Sequence, residues 1–359
     1  MGARPVLTRW QDEAAAPPAA CECSSCARDG RLQPDARHAA RRRWNAFCTL
    51  VRDPSTSTVL GHQMQLKHSL INLAARSLRH VRQTWFPNVD TRHSSLAAAY
   101  HRFVSDAGRL EMVETTSGFR MFLDEPDSLR LSISREFEPG ETRYFTESLR
   151  PGQVVLDVGA NIGYFTLLFA QRVGPSGHVF AFEPEPRNFE LLQRNIALNG
   201  FTNVTAIQRA AWHESSTLML YLNETNRGDH RAYPSEESRV GVSIAAGPID
   251  DLLAHVTRPV DVVKIDIQGA EYNAIRGMRR LLAQNRDVQV LTEFWPGGLR
   301  RCGSDPESYL AFFRDLGFHF YTVHDTASVE PATLRDILAS HDLDGDGFTN
   351  ILCRRPSPA

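Results

Sequence analysis

The apolar positions of this chain fall into two regimes that meet near Gly152. Beyond that point, short apolar runs alternate with stretches of helical period. VVLDV is followed by a helix through Phe165, Leu168 and Phe169, and VFAFE by one carrying Phe189, Leu192 and Ile196. VTAIQ comes next; VDVVKID then precedes Ile275, Met278 and Leu282, VQVLTEF precedes Leu310 and Phe313, and FHFYTV and FTNILC close the series. Runs that are apolar at nearly every position suit strands covered on both faces, and parallel neighbours require a long crossover. The pattern predicts an α/β fold built on a doubly wound, seven-stranded sheet. Helix punctuation agrees. Asp305-Pro306 pairs an N-cap with proline at the first helical position, Pro186 opens the second helix, and Gly200 and Gly317 stand where left-handed C-terminal residues are expected.

Upstream, LEMVETTSGFRMFLDEPDSLRLSI holds two alternating runs around Thr116-Ser117-Gly118, which predicts a hairpin leading into a main domain over 112–355. Residues 1–55, rich in Ala, Pro and Arg and lacking a sustained period, read as a disordered tail, and 56–111 as a helical extension. Within that extension Leu66, Leu70, Leu73 and Leu78 share a face, with Lys67, Arg76, Arg79 and Arg82 among them. Such a helix is expected to pack on another surface or to join two copies of the chain.

Composition narrows the class. The chain is 42% hydrophobic and 23% charged, and no apolar run approaches the roughly 18 residues of a membrane-spanning helix. The first residues form no apolar leader core, so the expected compartment is the cytoplasm, where the six cysteines stay reduced. The net charge of −2 conceals a split: residues 1–95 hold 14 Arg and Lys against 7 Asp and Glu, and the remainder 26 against 35. Only Lys67 and Lys264 are lysines.

The chemistry concentrates where VVLDV runs into Gly159-Ala160-Asn161-Ile162-Gly163 and then a helix. This corner lies at the carboxyl edge of a parallel sheet, where ligands bind, and glycine lets the backbone turn sharply. A dinucleotide fingerprint started at Gly159 would need glycine at Asn161 and Tyr164, and no phosphate-loop motif is present. What remains, Asp-x-Gly-x-Asn-x-Gly, resembles the first motif of S-adenosylmethionine-dependent methyltransferases. That resemblance gives Asp157, Gly159, Asn161 and Gly163 the amino acid end and ribose of the cofactor. Glu183, 20 residues after Gly163 at the end of the next strand, is placed to accept both ribose hydroxyls. The small residues Ala210 and Ala211 offer a flat support for adenine.

Further on come Pro248-Ile249-Asp250-Asp251-Leu252, then Asp261-Val262-Val263-Lys264-Ile265-Asp266-Ile267-Gln268-Gly269-Ala270-Glu271, then Val290-Leu291-Thr292-Glu293-Phe294. With VVLDVGANIGYFTLLFA and FAFEPEPRNFELLQRNI, these segments resemble the FkbM family of methyltransferases over residues 112–355. The resemblance implies a Rossmann-like class I methyltransferase sheet of seven strands, mostly parallel with an antiparallel last strand. It also implies S-adenosyl-L-methionine as methyl donor and a small hydroxylated acceptor, such as a natural product or sugar. Gln268 departs from the family, which often carries Glu there. A cofactor-binding scaffold without turnover is the alternative function.

A neutral alcohol must lose its proton during methyl transfer, which calls for a positioned base. The candidates are Asp266 at a strand's carboxyl end, Glu271 in the first turn of the next helix, Glu293, and His230 in the polar segment Asn226-Arg227-Gly228-Asp229-His230-Arg231, a loop able to cover the site. Other signals are weaker. Cys21-Glu22-Cys23-Ser24-Ser25-Cys26 lacks the two well-spaced ligand pairs of a zinc site. Asp342 to Gly347 imitates the start of a calcium loop whose twelfth position is Cys353 instead of Glu, so no metal is expected. No Asn-Pro-Pro-aromatic motif follows Asp266, so no nucleic-acid partner is expected; nor is a membrane partner.

Overall fold

The structure is a computed structural model that describes residues 112–234, 238–324 and 326–356. The tail, the 56–111 extension with its leucine face, and the Cys21 to Cys26 run lie outside the described residues.

The chain enters through the expected hairpin, β1 (Met112–Glu114) against β2 (Arg120–Phe122), with Met112 opposite Phe122. Short helices α1 (Leu131–Ser134) and α2 (Pro139–Ser148) precede the first central strand, β3 (Val154–Val158). Then α3 (Tyr164–Val173), β4 (His178–Phe182), α4 (Pro186–Leu198) and β5 (Val204–Ile207) complete the first half. Next come β6 (Ala210–Ala211), β7 (Ser216–Leu222), β8 (Val240–Gly247) and α5 (Ile249–Leu252). The second half runs β9 (Val262–Ile265), α6 (Glu271–Arg276), α7 (Arg279–Gln284), β10 (Gln289–Phe294), α8 (Pro296–Arg301) and α9 (Pro306–Asp315). It closes with β11 (His319–Val323), β12 (Val329–Ala332), α10 (Leu334–Ala339) and β13 (Thr349–Arg354).

The main sheet has the order β12-β11-β13-β10-β9-β3-β4-β5. From β5 to β10 neighbours are parallel, and β13 enters antiparallel between β10 and β11, as the resemblance implied. Three features depart from the pattern reading. The sheet has eight strands, because Val-Glu-Pro-Ala adds β12 at an edge. Its Pro331 has no N–H to give a further neighbour, which an edge tolerates. A second sheet, β6-β8-β7, pairs Ser216–Leu222 with VGVSIAAG, whose small residues carry no strand signal. Finally, the helix expected through Ile275, Met278 and Leu282 is two helices broken at Gly277. A Cβ there would lie 2.0 Å from the Trp212 carbonyl oxygen, so the chain crosses Trp212 with no room for a side chain.

Apolar side chains fill both faces of the sheet. Leu156, Val263, Val290 and Ile351 point toward α6, α7 and α9, with Ile275, Leu282 and Phe313. Val155, Val262, Leu291 and Leu352 point toward the hairpin, α2 and α3, where Phe145, Tyr164, Phe165 and Phe169 pack edge-on or stacked. Each fully buried side chain of this size contributes about 1.5–3 kcal/mol. The helix signals hold too: Asp305 accepts from Ser308 N–H at 2.8 Å, and Gly200 and Gly317 have φ of 67° and 81°. The buried Asn195 of α4 bonds the Phe122 N–H at 2.7 Å and the Ile162 carbonyl at 2.8 Å, tying the hairpin to the glycine corner.

Gly277→Ala is expected to lower the unfolding free energy by about 1–3 kcal/mol through overpacking against Trp212. Urea denaturation measures it, and an unchanged midpoint would contradict the packing described.

Candidate active site

The carboxyl ends of β3, β4, β9 and β10 lie side by side in the sheet, which gathers Asp157, Glu183, Asp266 and Glu293 at one edge. Parallel pairing does more than gather them. Asp157 stands opposite Lys264 in register, so one strand brings a carboxylate and the next an ammonium to the same face.

At the glycine corner, the N–H groups of Gly159 and Ala160 both donate to the Phe182 carbonyl, at 3.0 and 2.9 Å. Gly159 has φ 89°, and a Cβ on it would fall 2.0 Å from the Asp266 carbonyl oxygen. Glycine is therefore required there by the neighbouring strand end, whatever occupies the site. Asn161 takes φ 50°, and its N–H donates to Glu183 Oε2 at 2.8 Å. Gly163, at φ 99°, opens α3 with no space for a side chain beside Leu192. Glu183 Oε1 accepts from the Glu185 N–H at 2.9 Å, so its carboxyl is fixed by two backbone donors while each oxygen keeps a further lone pair. Burial pushes Glu183 up to about 8 against the pull of those two donors.

Two cavities open on this corner. The smaller, about 80 Å³, is lined by Glu183, Asn188, Ala211, Leu220, Arg227 and His230 among others. The larger, about 790 Å³, is lined by Glu138, Asp157, Lys264, Glu293, Trp295 and Arg231 among others. Gly159, Asn161, Gly228, Asp266 and Gln268 belong to both, so the two meet at the glycine corner. Residues of the segment 226–231 line both cavities. The segment is held by Tyr221 and Arg231 exchanging backbone bonds, by the Arg227 N–H donating to Ser128 Oγ at 2.7 Å, and by Asn188 Nδ2 donating to the Arg227 carbonyl at 3.2 Å.

The larger cavity is ringed by carboxyls around one ammonium. Lys264 Nζ lies 3.2 Å from Asp266 Oδ2, 3.9 Å from Glu141 Oε2 and 4.5 Å from the centre of the Phe165 ring. Burial works against its charge, but Asp266, Glu141, Glu138 and Asp157 outweigh it and hold the proton on. Asp157 accepts from Thr166 Oγ1 at 2.5 Å; burial raises its pKa, and Lys264 opposes the rise. Glu138 and Glu141 reach the ring from the start of α2, each with a buried oxygen that has no hydrogen-bond partner. Glu138 takes φ 41° and Gln268 φ 54°, so with Asn161 three non-glycine residues of the lining hold left-handed backbone. Such strain persists only where the surroundings over-determine it.

Opposite the corner, Arg231 and Arg301 stack on Trp295 at 4.9 and 5.4 Å. Arg231 also bonds Asp229 at 2.7 Å. Burial disfavours the Asp229 charge, yet bonds from Arg231 and Arg239 hold its carboxyl below the usual range. The calcium-like segment has a structural role here: Asp344 and Asp346 pair with Arg300 and Arg301, and the Gly345 carbonyl accepts from Trp295 Nε1 at 3.2 Å. No group of three His, Cys, Asp or Glu among the described residues is placed to hold a metal ion.

Of the expected base candidates, Asp266 and Glu293 line the larger cavity. His230 lies in the smaller one; its Nδ1 accepts from the Asn223 N–H at 3.0 Å, and burial lowers its pKa. Glu271 is fully buried, and its Oε1 accepts from the N–H groups of Ile267 and Gly269, both at 3.1 Å, so it caps the turn after β9. Burial pushes it up to about 7. The sequence reading missed Glu138, Glu141, Trp295 and Arg301. Glu138-Pro139-Gly140-Glu141 reads only as a helix start, and nothing local says that it reaches the sheet edge.

Comparison with known proteins adds an independent view. Residues 157–320 match the family described as methyltransferase FkbM domain. Methyltransferase 1 of Beauveria bassiana is 24% identical over 189 residues, covering 47% of this chain and 76% of the relative. The 31-O-demethyl-FK506 methyltransferase FkbM of Streptomyces tacrolimicus is 27% identical over 177 residues, covering 39% of this chain and 68% of the relative. A crystal structure of methyltransferase FkbM from Methylobacillus flagellatus is 16% identical with a TM-score of 0.36, covering 74% of this chain and 62% of that one.

Glu183 and Glu271 bind protons more tightly folded than unfolded. The stability this gives is complete below the ordinary carboxylate range and is lost as pH rises through about 7 and about 8. The unfolding free energy of the ligand-free protein is therefore expected to fall between about pH 5 and about pH 8, and Glu183→Gln to flatten that fall. Urea titrations at the two pH values decide it; a variant as steep as the wild type would contradict the burial described.

Proposed function

From the premise that this chain is an S-adenosylmethionine-dependent methyltransferase of the FkbM family, we propose that it transfers the methyl group to a hydroxyl oxygen of a small molecule. The observation that carries this reading is that the two cavities share Gly159, Asn161 and Asp266. A nucleoside in the smaller cavity and an acceptor in the larger one meet at that junction.

The residues present suit the donor. Glu183 offers two carboxylate oxygens beside the smaller cavity, with lone pairs left for a ribose diol. Ala211, Leu220 and Ile244 supply apolar walls for a flat base. Asp157 and the backbone at Gly159 and Asn161 face the larger cavity, where a carboxylate can accept from an ammonium group. The donor supplies a methyl group already activated on a sulfonium. What the chain adds is placement, since an in-line displacement gains most from holding the acceptor at attack distance in a closed site. Asp266, held by Lys264 and by Gln268 Nε2 at 3.0 Å, marks the junction at which the acceptor hydroxyl meets the donor. The Arg231 and Arg301 guanidiniums that cover Trp295, with Asp229 paired to Arg231, suit a polyhydroxylated molecule, whose hydroxyls can bond to fixed charges. His230 acts as a wall of the nucleoside cavity and Glu271 as a structural cap.

Calorimetry with S-adenosylhomocysteine is expected to give binding that Asp157→Ala weakens by about tenfold or more, roughly one charge-assisted hydrogen bond. Unaltered binding by the variant would remove Asp157 from the site. With a methyl-labelled donor and a pool of sugars, polyols and phenols, the labelled carbon of the product is expected on oxygen; a methyl found only on nitrogen or carbon would overturn the acceptor class.

A further inference from the structure

Glu293, next to last in β10, is 9% exposed and lines the larger cavity. Its Oε2 is buried without a hydrogen-bond partner. The charged groups facing it are Asp266 and Lys264 from β9 and its end, Glu138 from before α2 and Glu271 from α6; Arg231, Arg301 and Asp346 stand further along the same cavity wall. The one ammonium of this ring is engaged with Asp266 and Glu141. Burial first, then the charges of Asp266, Glu271 and Glu138, push the Glu293 carboxyl well above its usual range. The cavity therefore holds more carboxyls than it can keep ionised. Glu138 and Glu293 are the two with neither an ion pair nor a hydrogen-bond donor shown for the side chain, and of these Glu293 stands at the carboxyl end of a central strand beside Asp266.

We propose that Glu293 is the catalytic base of the transfer, and that it gives up its proton when the positively charged donor enters the cavity. This rests on the reading of the site as one of O-methyl transfer. The charges balance through a full cycle. With the sulfonium in place Glu293 is ionised. The acceptor oxygen then uses a lone pair to form the new C–O bond, the C–S electron pair stays on sulfur, and the O–H proton passes to Glu293 Oε2. One positive and one negative charge disappear together, which leaves a neutral thioether and a neutral carboxyl. That is the protonation state the buried site favours without a cation, so the proton of the overall reaction leaves when donor binds. The same arrangement distinguishes donor from product, since only the donor carries the charge that ionises Glu293.

The test needs no knowledge of the acceptor. Calorimetric titrations at one pH, in two buffers of different ionisation enthalpy, count protons exchanged on binding. S-adenosylmethionine is expected to release about one proton per site from the wild type and S-adenosylhomocysteine none. E293Q mimics the neutral carboxyl; it is expected to keep wild-type affinity for S-adenosylhomocysteine, which also reports its folding, and to lose the release seen with S-adenosylmethionine. Equal release with both ligands, or release that persists in E293Q, overturns the proposal. Failure of either ligand to bind the wild type would instead sink the donor site itself. Should E293Q not fold, infrared difference spectra of the wild type decide: a protonated-carboxyl band present with the thioether must vanish with the donor. On acceptors found by the labelled-methyl screen, E293Q is expected to lower kcat by about 10²-fold or more with little change in KM for the donor, and an undiminished kcat likewise overturns the base assignment.

Discussion

The ammonium of Lys264 organises this molecule's functional edge. It is carried on a central strand, faces Asp157 across the ladder, and lies among Asp266, Glu141 and the Phe165 ring with little access to water. A charge so placed costs several kcal/mol in lost hydration unless its surroundings restore the interaction. Here they over-restore it, because the carboxyls around Lys264 outnumber it. The surplus leaves buried oxygens of Glu138 and Glu293 at the cavity wall without a hydrogen bond, and Glu141 behind them with only the distant Lys264 ammonium. A fold does not accumulate such groups for stability, since an apolar core of the same volume is usually as stable or more so. They make sense as a site that takes up a cation, and the sulfonium donor proposed for this site is one.

Geometry follows from the same edge. Parallel strands end together, so residues far apart in sequence share one rim, and the glycine corner lets the β3–α3 connection turn without colliding with the carbonyl of Asp266. Of the left-handed residues, Asn161 and Gln268 line the junction of the two cavities and are held by neighbours, Asn161 through Glu183 and Gln268 through Asp266, while Glu138 lines the larger cavity alone. The covering loop is fastened at Ser128 and Asn188, one before the central sheet and one on α4. The site is thus closed by elements from both halves of the domain.

Much of this was legible in the sequence. Short apolar runs separated by helical stretches foretold the sheet, and the glycine corner and Glu183, both local signals, are found together at one sheet edge, where the Asn161 N–H bonds Glu183. The edge strand β12 and the strand β8 were not, since Val-Glu-Pro-Ala and a Gly/Ala-rich run carry too little periodicity. Glu138 and Glu141 were invisible as site residues because their role depends on the start of α2 coming within 3.9 Å of Lys264 on β9, an approach that no spacing encodes. Glu271 looked like a catalytic group for its position in the first turn of a helix, yet the same position lets it bond its own turn. The lysine count was an indirect pointer: in a chain with 40 basic residues of which two are lysines, one lysine lies at this rim. Arginine's wider planar fork could not replace a compact ammonium between Asp157 and Asp266 without displacing them.

The most direct test of the account is a crystal structure of the protein with S-adenosylhomocysteine. The account places the ribose on Glu183, the base beside Ala211, and the sulfur at the junction between Gly159 and Asp266, open toward Glu293. A ligand bound elsewhere, or one whose sulfur is walled off from the Lys264 cavity, would contradict it.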